Sequence, residues 1–142
     1  MVKRALGWIV AACVCMPACA GDEEPADATA ALEIEGEWES NFMSTEVISA
    51  ESWRIDSSFP SSSEILEFSN DENAAVLLAE DGTYERKVWT EVEDDSFYYC
   101  TVAFGKTTAD EAVTQSEPAD ATDPANGGCG MGDFGWTMLT RK

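Results

Sequence analysis

The 142-residue chain contains no histidine. Ser-His-Asp and Cys-His nucleophilic catalysis are therefore excluded, and the commonest zinc and iron ligand is missing. Cations are scarce as well. Only 8 lysines and arginines stand against 28 aspartates and glutamates, a formal net charge of −20. Nucleic acid recognition needs a basic patch, so nucleic acid is not expected as a partner. No glycine-rich loop followed by lysine fits a phosphate-binding loop. No apolar run reaches the roughly 20 residues that a membrane-spanning helix needs. The 5 cysteines, at positions 13, 15, 19, 100 and 129, are too dispersed for a zinc site without histidine. No metal and no cofactor is expected.

What is present begins at the N-terminus. Lys3 and Arg4 precede an apolar run from Ala5 to Cys15, and Met16-Pro17-Ala18-Cys19 follows. A charged start, a short apolar core and a small residue before a processing point make an export signal. Met16 to Cys19 resembles the lipobox of bacterial lipoproteins, in which the cysteine is lipidated and becomes the new N-terminus. That resemblance implies a signal peptide over residues 1–18 and lipidation at Cys19. Ala20 directly after the cysteine implies the outer membrane, by the sorting rule of that family. The competing reading takes Ala18-Cys19-Ala20 as an Ala-x-Ala site, with cleavage after Ala20 and a secreted soluble product. Both readings place the chain outside the cytoplasm. Residues 19–31 then form an acidic tether, and residues 32–142 a single domain. If Cys19 carries lipid, Cys100 and Cys129 remain as one pair, and an oxidising compartment favours a disulfide between them.

The domain reads as mainly β. From Leu32 to Ser40, apolar positions alternate with Glu33, Glu35, Glu37 and Glu39, the pattern of a strand with one wet face. Further strands are expected at Thr45–Ser49, Ser52–Asp56, Glu64–Ser69, Asn73–Ala79, Thr83–Val92, Ser96–Phe104 and Phe134–Thr140. Asp81-Gly82 is a hairpin signal, and Glu93-Asp94-Asp95 reads as a second tight turn. Thr108 and Glu111 form a capping box for one helix from Ala109 to about Ser116. Eight strands with short connections favour an antiparallel barrel with a short helix before the last strand. A two-sheet sandwich is the alternative.

Gly36-Glu37-Trp38 resembles the Gly-x-Trp signature of lipocalins and related calycin barrels. The resemblance implies an eight-stranded barrel with Trp38 packed under one end and a basic side chain, Arg141, across its ring. A wider pattern runs through Val88-Trp89-Thr90-Glu91, Phe97 to Thr101, Gly128-Cys129-Gly130 and Trp136-Thr137. It is similar to one in small predicted lipoproteins of Gram-negative bacteria with no assigned activity. It reinforces the Cys100–Cys129 pairing and the lipid anchor, and adds no catalytic residue.

Carboxylates are numerous enough that chance pairs arise, so a carboxylate-based hydrolase is only a distant reading. The acidic loops at Asp71-Glu72-Asn73, Glu91 to Asp95 and Asp120 to Asn126 do not match an EF-hand. The aromatics carry more information. Trp38, Trp53, Trp89, Tyr99, Phe134 and Trp136 are expected to fill the core or line a ligand cavity. The expected protein is thus a non-enzymatic, lipid-anchored module of the cell envelope. It would carry a small apolar ligand inside the barrel, or contact an envelope protein through an aromatic patch around Tyr98 and Trp89.

Overall fold

The computed structural model describes residues 31–130 and 134–142. The export signal, Cys19 and all but the last residue of the tether lie outside these residues. Residues 31–142 make one compact unit. Its strands are β1 (Gly36–Ser40), β2 (Thr45–Ile48), β3 (Ser52–Asp56), β4 (Ser61–Ser69), β5 (Ala74–Ala79), β6 (Tyr84–Trp89), β7 (Ser96–Lys106) and β8 (Thr137–Arg141), with α1 (Ala109–Thr114) between the last two. Each strand pairs antiparallel with the next, and β8 returns to β1 through Trp38↔Arg141, Glu39↔Thr140 and Ser40↔Leu139. The sheet is a closed barrel, which sets aside the sandwich and is consistent with a lipocalin-like fold.

Local chemistry accounts for the turns. Asp94 and Asp95 both have positive φ, 48° and 57°, between the paired residues Glu93 and Ser96. Two consecutive left-handed residues turn a hairpin with the twist of its strands. Gly82 has φ 82°, and its N–H donates to the Ala79 carbonyl at 2.9 Å. The helix is capped by Thr108, whose hydroxyl accepts from the Glu111 N–H at 3.1 Å. Glu111 reaches back one residue further than a capping box requires, accepting from the Thr107 N–H at 3.0 Å.

Several expected boundaries move: β4 already starts at Ser61 instead of Glu64, and β6 ends at Trp89 instead of Val92. The first strand starts at Gly36, because residues 32–35 close a turn in which the Glu35 N–H donates to the Leu32 carbonyl. Leu32 and Ile34 are nevertheless buried, so the alternation reported their burial and not an extended backbone. The last strand starts at Thr137 instead of Phe134, since Phe134 is spent on an isolated bridge to Cys129. The helix stops at Thr114, and the Ser116 hydroxyl then takes up the Ala112 carbonyl at 2.7 Å.

The two ends of the barrel differ. Leu32, Ile34, Trp38 and Trp89 belong to the main core and close the end where the domain begins. The Trp38 indole N–H donates to the Ile34 carbonyl at 2.9 Å, and the Trp89 indole N–H to Glu33 at 2.6 Å. Arg141 lies 4.2 Å above the Trp38 ring, as the Gly-x-Trp resemblance implied. The glycine of that triplet has a physical reason. Gly36 sits at φ 146°, and a Cβ there would lie 2.6 Å from the Arg141 guanidinium. The β1–β2, β3–β4 and β5–β6 turns lie at the opposite, open end, as strand alternation in a meander demands.

Candidate binding site

Aromatic side chains pack across the lumen. Trp38 meets Phe97 edge-on at 4.7 Å between ring centroids, and Trp53 meets Tyr99 at 4.9 Å. Between the second pair and the wall sits a carboxyl group. Glu46 is 1% exposed and accepts from the Trp53 indole N–H at 2.6 Å and the Tyr99 hydroxyl at 3.0 Å. Burial pushes its carboxyl above the ordinary value of 4.5, against the opposing pull of both donors and of the nearby Lys87. Burial, reinforced by the Glu46 charge, also raises the Tyr99 phenol, which stays a donor.

Lys87 is buried too, with its ammonium 5.6 Å from the centroids of both Trp53 and Tyr99. It donates to Thr101 Oγ1 at 3.0 Å and pairs with Glu85 at 3.4 Å, while the Ser63 hydroxyl donates to Glu85 at 2.7 Å. Lys87, Glu85, Ser63 and Trp53 line a polar depression of about 370 Å³ at the open end, with Ser61, Ala79 and Asp81 also in its lining. A lumen that ends in a satisfied ion pair is not an apolar cavity. The side chains that pack across it hold one another.

A larger apolar space lies along β7, lined by residues of both its faces, Tyr99 and Thr101 as well as Cys100 and Val102. Strand β7 carries a bulge: Arg86 faces Ala103 and Lys87 faces Thr101, so β7 has an extra residue there. Ala103 packs outward with Val76 and Ala112 of α1, and Val102 packs outward with Cys100 and Trp136. Cys100 and Cys129 form a disulfide, S–S 2.00 Å, that clips the long connection after α1 to the outer face of β7. Trp136 is buried beneath this connection, its indole N–H donating to the Asp120 carbonyl at 3.1 Å. Alongside the clip runs an open groove of about 670 Å³ with Val102, Phe104, the disulfide, Gly130 and Phe134 in its lining. Phe104 is 76% exposed and Phe134 69%.

The expected aromatic set therefore divides. Trp38, Trp53, Trp89 and Tyr99 belong to the luminal core. Trp136 is buried outside the wall, and Phe134 is an exposed groove residue instead of a core one. Trp89 is buried and Tyr98 half-buried beside Trp136, so the expected aromatic patch around them is not a free surface. Sequence reading missed Glu46, Glu85 and Lys87. The signal was strand parity: Glu46 shares a face with Ile48, and Glu85 and Lys87 share one with Trp89. Among the described residues, no three carboxylates or thiols converge as a metal would require. No family model, no curated protein and no solved structure matches the chain.

Proposed function

We propose that the chain is an exported binding protein of the cell envelope, held at the outer membrane by a lipid on Cys19 and without catalytic activity. Its relation to lipocalins and to small envelope lipoproteins belongs to the same proposal. The ligand is a small apolar molecule, seated in the groove over β7 and not in the lumen. The groove carries this reading. Its volume, about 670 Å³, lies in the range that takes a small molecule. Its lining pairs two exposed phenylalanines with a disulfide and Val102, apolar groups that an acidic soluble surface gains by covering. Glu117, Lys106 and Gln115 supply polar groups in the same lining, enough to orient one polar end of a ligand.

The test uses N-phenyl-1-naphthylamine, a neutral apolar probe whose fluorescence rises on leaving water. The full chain is expected to bind it saturably, and Phe104→Asp to weaken binding at least about tenfold through the cost of a carboxylate in the groove. Equal binding by Phe104→Asp and the parent chain would rule out the groove as the seat.

A further inference from the structure

The open end of the barrel carries three of the most exposed large apolar side chains in the described residues: Phe42 at 68%, Met43 at 91% and Phe59 at 89%. Phe42 and Met43 form the tip of the β1–β2 hairpin, and Phe59 the tip of the β3–β4 hairpin. The hairpins are adjacent, because β2 pairs with β3 through Thr45↔Asp56 beside both tips.

Their surroundings set these tips apart from the rest of the molecule. Residues 40–45 read Ser-Asn-Phe-Met-Ser-Thr and residues 57–63 read Ser-Ser-Phe-Pro-Ser-Ser-Ser, with no charge in either. The β5–β6 turn at the same end instead carries Glu80-Asp81, and the β4–β5 and β6–β7 turns at the other end carry Asp71-Glu72 and Glu93-Asp94-Asp95.

Several backbone groups at both tips are paired locally. Ser40 Oγ accepts from the Phe42 and Ser44 N–H groups, each at 3.2 Å, and Ser40 and Ser44 hydroxyls join at 2.6 Å. The Met43 N–H donates to the Ser40 carbonyl at 3.0 Å, with Met43 held at φ 62°. On the second tip, Ser57 Oγ accepts from the Phe59 N–H at 3.0 Å and donates to its carbonyl at 2.9 Å. Pro60 has no N–H to satisfy. Each such pairing lowers the cost of moving a tip into the hydrated interfacial layer, where the remaining carbonyls keep water.

We infer that these two hairpin tips seat in the interfacial layer of a neutral, zwitterionic lipid surface. An anionic surface would repel a chain of net charge −20, and a cationic one would be drawn to its acidic faces before its uncharged tips. A protein partner is disfavoured by area. Three side chains bury at most roughly 150–250 Å² each, short of the ~800 Å² per partner that a stable protein interface takes. Insertion of apolar side chains by about 5–10 Å is the depth of an interfacial anchor.

Peroxide oxidation of Met43, followed by peptide mass spectrometry on the full chain, reads the tip directly. On phosphatidylcholine vesicles, Met43 is expected to oxidise several-fold more slowly than in solution, while the half-buried Met138 serves as the internal reference. The double substitution Phe42→Ser with Phe59→Ser is expected to restore the solution rate even where the N-terminus still holds the chain on the vesicle. Oxidation of Met43 at the solution rate on vesicles would overturn the inference. So would protection that grows with protein concentration in the absence of lipid, which would make the tips a protein contact.

Discussion

A carboxyl group at 1% exposure inside a barrel must find donors, and Glu46 finds the Trp53 indole and the Tyr99 hydroxyl. Glu46→Ala would leave both donors without a partner and is expected to cost on the order of 3 kcal/mol, read as a lower denaturation midpoint. Glu46→Gln keeps an acceptor and should cost less. The two proteins should also separate with pH. Burial raises the folded-state value of Glu46 above 4.5, so its contribution is fully present below that value and is lost as pH rises through the folded value. The parent chain should therefore lose stability relative to Glu46→Gln as pH climbs above about 4.5, and a difference that stays flat with pH would contradict this. The residues of this cluster were legible only by parity. Charge alone assigns Glu46, Glu85 and Lys87 to the surface, and only their strand partners reveal that they face inward.

At the level of elements, most of what the sequence announced is local chemistry. Asp81-Gly82, Glu93 to Asp95 and Thr108 with Glu111 specify turns and a cap within a few residues, and each stands where expected. The first strand and the helix end shifted through local bonds, but the start of the last strand is decided by a contact from outside it. Phe134 has the composition of a strand residue, but the disulfide holds Cys129 beside it and takes its backbone bond. The same clip shapes the groove. Cys129→Ser is expected to lower stability by about 3–4 kcal/mol on the chain-entropy estimate for a loop of this length. It should also increase hydrogen exchange in residues 117–130 well before the barrel strands. Uniform loosening of the whole domain would show instead that the clip supports the barrel itself.

For the whole molecule, barrel closure depends on pairing β1 with β8, about 100 residues apart in the chain. No local pattern specifies that, which is why a sandwich stood as the alternative. The Gly36, Trp38 and Arg141 arrangement was the one long-range hint, and its geometry explains why the glycine is needed. Where a ligand would sit was not legible at all. The aromatic count pointed to the lumen, yet Trp53 and Tyr99 are held there by Glu46, and the larger apolar space runs along β7 beside the disulfide. Native mass spectrometry of the full chain, extracted without delipidating steps, tests that placement most directly. A non-covalent apolar adduct at one per chain, present on the parent and absent from Phe104→Asp, is the expected result. The same adduct retained by Phe104→Asp, or no adduct on either chain, would contradict it.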